Sequence, residues 1–154
     1  MLTLKNIHFQ PATAGEPILK GLDLHAQSGF PTIIEGASGS GKTSLIDIIS
    51  GLSKPQKGEI YWESKRLNEE QRKWICGIVF QFPERHFLGL TVAQELRLGH
   101  LRPNREAQSI ALMKVGLSLI DLKIEPERLS GGQQRRLAIA VQLLRNPSIL
   151  LLDE

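Results

Sequence analysis

Apolar positions alternate at the start of the chain, Leu2 and Leu4 in one phase and Ile7 and Phe9 in the other, with a slip at Lys5-Asn6. Period two of this kind predicts a strand, and residues 18–24 predict a second one after the turn-rich stretch from Pro11 to Pro17. Together they suggest a small sheet. Thr32-Ile33-Ile34-Glu35 reads as a short buried strand running into a glycine-rich loop, and residues 42–50 as a helix stopped by Gly51. Residues 59–62 and 75–80 are further strand candidates, with polar turn residues 54–58 ahead of the first of them.

From about residue 82 to 130 the pattern turns helical: Thr91-Val92-Ala93-Gln94 has capping-box form, and Asn104 opens a segment that Gly116 closes. Residues 133–145 place Leu137, Ala140, Val141 and Leu144 at spacings of 3, 4 and 7, the stripe of an amphipathic helix, and Asn146-Pro147 ends it. The continuous apolar run in residues 148–153 suits a central strand covered on both faces.

Composition changes this picture little. With 154 residues, 41% apolar and 23% charged, the chain suits one globular domain. A net charge of +3, scattered along the chain, fits a phosphate-bearing ligand without calling for nucleic acid. The single cysteine, Cys76, sits in an apolar run, so no internal disulfide forms and a buried thiol and a reducing compartment are expected. No apolar stretch approaches the ~20 residues that span a bilayer, and no leader pattern precedes the first strand, so any membrane role is expected to be peripheral.

The chemistry is concentrated in three places. Gly36-Ala37-Ser38-Gly39-Ser40-Gly41-Lys42-Thr43 follows a predicted strand and opens a predicted helix. The glycines let backbone N–H groups turn inward around phosphate oxygens, the helix N-terminus adds its dipole, Lys42 reaches the β- and γ-phosphates, and Thr43 is placed to ligate Mg²⁺. Leu129-Ser130-Gly131-Gly132-Gln133 stands at the opening of the amphipathic helix, a second anion-binding end. By chance a given five-residue string recurs only about once in 10⁶ to 10⁷ positions. Ile149-Leu150-Leu151-Leu152 runs into two carboxylates, Asp153 and Glu154, which a strand delivers to its carboxyl end, where open α/β sheets bind ligands.

With these three elements the chain resembles the ATP-binding cassette family. The resemblance implies an α/β fold: a P-loop NTPase core with an N-terminal antiparallel β-subdomain and an inserted α-helical subdomain, over 1–154 and incomplete at the C-terminus. It implies ATP and Mg²⁺ as cofactors, and a head-to-tail dimer in which Ser130, Gly131, Gly132 and Gln133 hold the γ-phosphate bound on the facing subunit. Asp153 then holds Mg²⁺ through water and Glu154 polarises the attacking water, while Gln81 reaches Mg²⁺ and water and senses a membrane partner. Gln81 with the following Phe82-Pro83-Glu84 looks like importer-type ATPases, in particular those of energy-coupling-factor and cobalt-type systems, and Pro126-Glu127-Arg128 also looks importer-like.

The implied function is the ATPase subunit of a transporter, a homodimer or a heterodimer with a related subunit. It would sit in the cytoplasm, peripheral on the inner face of the membrane through an integral membrane subunit, with no nucleic acid partner. Family members continue past the carboxylates to an aspartate loop and a switch histidine, so a fragment or truncated product with poor turnover is expected. A nucleotide-binding remnant without turnover and a non-transport cassette ATPase are the alternatives.

Several residues stay outside the site. Phe9 shares the phase of the core positions rather than standing as an adenine-stacking ring, and Trp62 and Trp74 read as packing residues. His8, His25, His86 and His100 show no metal-ligand spacing among themselves or with Cys76. Arg135 and Arg136, in the first turn after the signature, face either a local anion or solvent with their stems over apolar surface.

Overall fold

A computed structural model describes residues 1–98 and 104–153, and these divide into two compact units, residues 1–76 and residues 77–154.

The first unit is built on a four-stranded sheet of order β2-β1-β3-β4, formed by β1 (Leu2–Phe9), β2 (Leu19–Ala26), β3 (Lys57–Trp62) and β4 (Lys65–Arg66). Every pairing in it is antiparallel. The slip in the apolar phase of β1 is a bulge: the register shifts between Leu4 and Ile7, and Asn6 takes a positive φ of 50°. Strict alternation would turn Ile7 away from Leu4. The extra residue restores both to the interior, where Leu2, Leu4 and Ile7 are all buried and Phe9 is half-buried.

Helix α1 (Lys42–Ser50) occupies its predicted bounds and buries Leu45, Ile46, Ile48 and Ile49. Helix α2 (Glu69–Ile75) was not foreseen, although its start is legible as Asn68-x-x-Gln71. Asn68 accepts from the Gln71 N–H at 2.8 Å and the Gln71 side chain accepts from the Asn68 N–H at 3.0 Å, a complete capping box. This helix corrects the reading of Trp74. The expected packing residue is 77% exposed, because two positions along a helix turn it about 200° from the buried Arg72.

The strand predicted at Thr32-Ile33-Ile34-Glu35 does not form either. Residues 31–37 are irregular and exposed, Ile33 to 79%. A strand exists through its ladder of partners, and the described sheet of this unit offers none to this segment.

The second unit pairs β5 (Cys76–Val79) with β6 (Ile149–Leu152) in a two-stranded sheet. Its helices are α3 (Val92–Glu95), α4 (Arg105–Lys114) and α5 (Gly131–Leu144), with 3₁₀ turns at Pro83–His86 and Pro126–Arg128. The predicted helical stretch is therefore present. Thr91 caps α3 by accepting from the Gln94 N–H at 3.2 Å, but the Gln94 side chain serves Leu90 rather than closing the box. Asn104 caps α4 through the Glu106 N–H at 2.9 Å, and Gly116 takes a left-handed φ of 69° beyond it.

Leu137 and Ala140 of α5, both fully buried, pack with Val92, Leu96, Leu112 and Leu129. Strand β6 is not covered on both faces as expected. Leu150 and Leu152 are 36% and 55% exposed, alternating with half-buried Ile149 and Leu151. An apolar run is compatible with a central strand, but its neighbours decide its cover.

Candidate functional site

The phosphate loop belongs to the first unit. Residues 36–40 are exposed and lead into α1 through Gly41, whose φ of 94° lies in the left-handed region. A β-carbon at Gly41 would also run into Ile18 and Leu19, so both the turn and the close approach require glycine. The Ser40 N–H donates to Ala37 O at 3.1 Å, closing a tight turn over Ser38 and Gly39. No side chain caps α1 and its first turn holds no acidic residue. That leaves an electropositive helix end suited to an outside anion.

Lys42 is the first residue of α1, and its ammonium donates to Gly36 O at 2.8 Å and Ala37 O at 3.1 Å. It therefore folds back over the loop. Thr43 follows on the same turn.

The other predicted site residues lie in the second unit. The Asp153 N–H donates to Val79 O at 2.9 Å, which brings the end of β6 alongside the end of β5. Gln81 is exposed two residues beyond Val79. Sequence-distant Gln81 and Asp153 are thus delivered to the same end of one small sheet. Glu154 lies outside the described residues, as does His100.

The signature opens α5 through a second complete capping box. The Gln133 N–H donates to Ser130 Oγ at 3.3 Å and the Ser130 N–H to Gln133 Oε1 at 2.9 Å. Replacing Ser130 with alanine is expected to cost about 1 kcal/mol. Chemical unfolding monitored by circular dichroism would check this; an unchanged midpoint would show that the cap contributes nothing.

Gly131 and Gly132 are exposed, and a β-carbon on either would meet nothing within 4 Å. Nothing inside the unit requires glycine there, and the space before the helix end is open.

Of the two readings for the signature arginines, Arg136 follows neither. Its Nε donates to Gly132 O and its Nη1 to Gly116 O, both at 3.2 Å, tying the start of α5 to the end of α4. Such a cation answers the negative end of α4 while bracing the signature. Arg135 is exposed.

Two further bracing residues carried no sequence signal of their own. Gln134 Nε2 donates to Pro126 O at 3.1 Å, holding the turn ahead of the signature. Glu95 is buried, and its carboxylate accepts from the N–H groups of Leu88 and Gly89 at 2.9 and 2.7 Å, fixing the loop that follows Pro83–His86. Its position among apolar neighbours is indistinguishable in sequence from a surface residue on α3.

Comparison with known proteins agrees with this arrangement. A family profile described as ABC transporter matches residues 19–154. The energy-coupling factor transporter ATP-binding protein EcfA1 of Mycoplasma mobile is 36% identical over 163 aligned residues, covering 100% of this chain and 59% of the relative. The ABC transporter I family member 11, chloroplastic, of Arabidopsis thaliana is 34% identical, covering 99% of this chain and 61% of the relative. The chain thus spans about three-fifths of the length of these relatives.

Among solved structures, cbiO1 from Clostridium perfringens, part of the ABC transporter complex cbiONQ, superposes with a TM-score of 0.88 at 28% identity. That match covers 99% of this chain and 64% of the other. A dimeric post-hydrolysis state of the cassette MJ0796 bound to ADP and Pi gives 0.81 at 31% identity, covering 100% of this chain and 74% of the other. The antiparallel sheet, the phosphate loop on α1, the helical segment and the signature on α5 therefore make up the mixed α/β fold of an ATP-binding cassette, and the chain belongs to the ABC transporter family.

Proposed function

We propose that the chain is a nucleotide-binding subunit of an energy-coupling-factor or cobalt-type transporter, which holds Mg-ATP in the phosphate loop and pairs head-to-tail with a second such subunit. The observation that carries this reading is the start of α1, uncapped and free of acids, with the Lys42 ammonium folded over the loop carbonyls. Anion binding is what such a helix end does best.

The metal reading rests on donor chemistry. Thr43 supplies a hydroxyl, Asp153 a carboxylate and Gln81 an amide oxygen, the hard oxygen donors that Mg²⁺ takes together with water and phosphate. When bound, Mg²⁺ would neutralise charge on the phosphates. In this reading Glu154 acts as the base for water, and general-base help of this kind is typically worth about 10² to 10⁴ in rate.

The pairing finds support in Gly131 and Gly132, whose open surroundings leave room for a phosphate of the facing subunit to approach the backbone. Gln81 and the helical segment would carry the coupling to an integral membrane subunit. No described helix is long and apolar enough to cross a membrane itself, which suits a peripheral place on the inner face.

Equilibrium titration of the purified chain with Mg-ATP, followed by sedimentation with and without nucleotide, tests the reading. Saturable binding with a shift from monomer to dimer is expected. Binding without dimerisation would favour the nucleotide-binding remnant, and no binding at millimolar ATP would overturn the reading altogether.

A further inference from the structure

The far end of the phosphate-loop helix is held by a buried cation. Helix α1 has nine residues and so spans about 13 Å. Three of its last four carbonyls have the following donors. Asp47 O accepts from the Ser53 N–H and from Ser50 Oγ, both at 3.0 Å. Ile48 O accepts from the Gly51 N–H at 3.2 Å and from Arg72 Nη1. Ile49 O accepts from Cys76 Sγ at 3.6 Å. Two of these donors, Arg72 and Cys76, stand four residues apart and reach across from α2 and the residue that ends it.

The contact has no slack. Gly51 ends α1 at a φ of 81°, and a β-carbon on it would run into the carbonyl of Glu69 in the first turn of α2. Arg72 is only 3% exposed, and Nε donates to Asn68 O at 3.3 Å. Among the described residues it forms no ion pair; Glu69, the nearby acid on its own helix, pairs with Lys54 at 3.6 Å. Burial draws the guanidinium below its ordinary pKa, with Glu69 acting in the opposite direction. An arginine nonetheless stays charged.

A buried charge needs compensation, and what Arg72 faces is the negative end of α1.

We propose that Arg72 is a positioning residue for the nucleotide site: by anchoring the C-terminal carbonyls of α1 it sets where the opposite end of that helix presents Lys42, Thr43 and the loop amides to phosphate. A helix of this length moves as one piece, so a shift at Ile48 is felt at Gly41. This inference rests on the phosphate-binding reading above, and its test separates the two.

Arg72→Met keeps the bulk and removes the charge and donors. It is expected to weaken ATP and ADP binding about tenfold each and to move the ³¹P resonance of the bound β-phosphate, since displacements near 1 Å can cost as much as 10²-fold at a site. Arg72→Lys, which keeps a charged donor, is expected to restore affinity to within about threefold. Leu4→Ala, in the sheet and away from α1's end, serves as the control for destabilisation alone. At a temperature where it is folded, it should keep both affinity and resonance.

If Arg72→Met does not fold, Gly51→Ala, which forces α2 away from α1, is read in its place with the same expectation. Wild-type affinity and an unmoved resonance in the variant, or an equal loss in Leu4→Ala, would overturn the inference. Failure of wild type to bind, or equal binding by Lys42→Ala, would instead overturn the phosphate-binding reading.

Discussion

Lys42→Ala is expected to weaken Mg-ATP binding by about 100-fold or more, equivalent to about 2.7 kcal/mol. Two effects add. The ammonium would make charge-assisted bonds to phosphate worth about 1.5–3 kcal/mol each, and removing it also takes away its bonds to Gly36 O and Ala37 O, which tie the loop to the start of α1. The half-exposed side chain lies at the start of α1 rather than in its packed middle, so thermal stability should fall by less than about 1 kcal/mol.

The distinguishing result is thus a large loss of affinity in a protein that still folds. Calorimetric titration beside a thermal melt reads both. Lys42→Arg should not restore binding, because a broad planar fork does not fit the place of a compact ammonium. Unchanged affinity in Lys42→Ala would mean that nucleotide, if it binds, binds elsewhere.

The second large effect is on stability. Leu137→Ala is expected to destabilise the second unit by about 2–5 kcal/mol, a substantial part of the 5–15 kcal/mol typical of a whole domain. Leu137 is fully buried, and it packs with residues from α3, α4 and the turn before the signature. Truncation would leave a cavity that rigid neighbours cannot close.

Urea unfolding followed by a probe in the second unit reads the cost, and a loss under about 1 kcal/mol would show the core to be loose there. Leu137 also sits on the helix that Ser130 caps and Arg136 braces. Weakening it should therefore loosen the signature before it touches the phosphate loop.

Much of this was readable from residue order, because its causes are local. A helix from Lys42 to Ser50, stopped by a left-handed glycine, follows from side-chain spacing and backbone freedom over a few residues. The same holds for the caps at Asn104 and Ser130 and for the break at Asn146, whose φ is 51°. The glycine-rich loop before α1 and the Ser130 start of α5 were legible as short strings for the same reason.

Helix α2 could have been found by the same logic, through Asn68 and Gln71, but its polar composition offered no apolar stripe to draw attention to it. The opposite errors arose where pattern alone promised cover. Ile33 and Leu152 sit in apolar runs yet stand exposed, because a strand's burial depends on which neighbours reach it.

Partnership at a distance belongs to the tertiary structure. No spacing rule connects Asp153 with Val79, Arg136 with Gly116, Glu95 with the loop ahead of it, or Arg72 with Ile48. Residue order alone determined that a glycine-rich loop opens one helix and a Ser130-capped Gly-Gly pair opens another, since each is a local matter of backbone conformation and hydrogen-bond supply. Only folding decided which charged side chains brace those helix ends, because an orphan backbone group is answered by whatever donor or acceptor the fold brings within hydrogen-bonding reach, however far away in sequence.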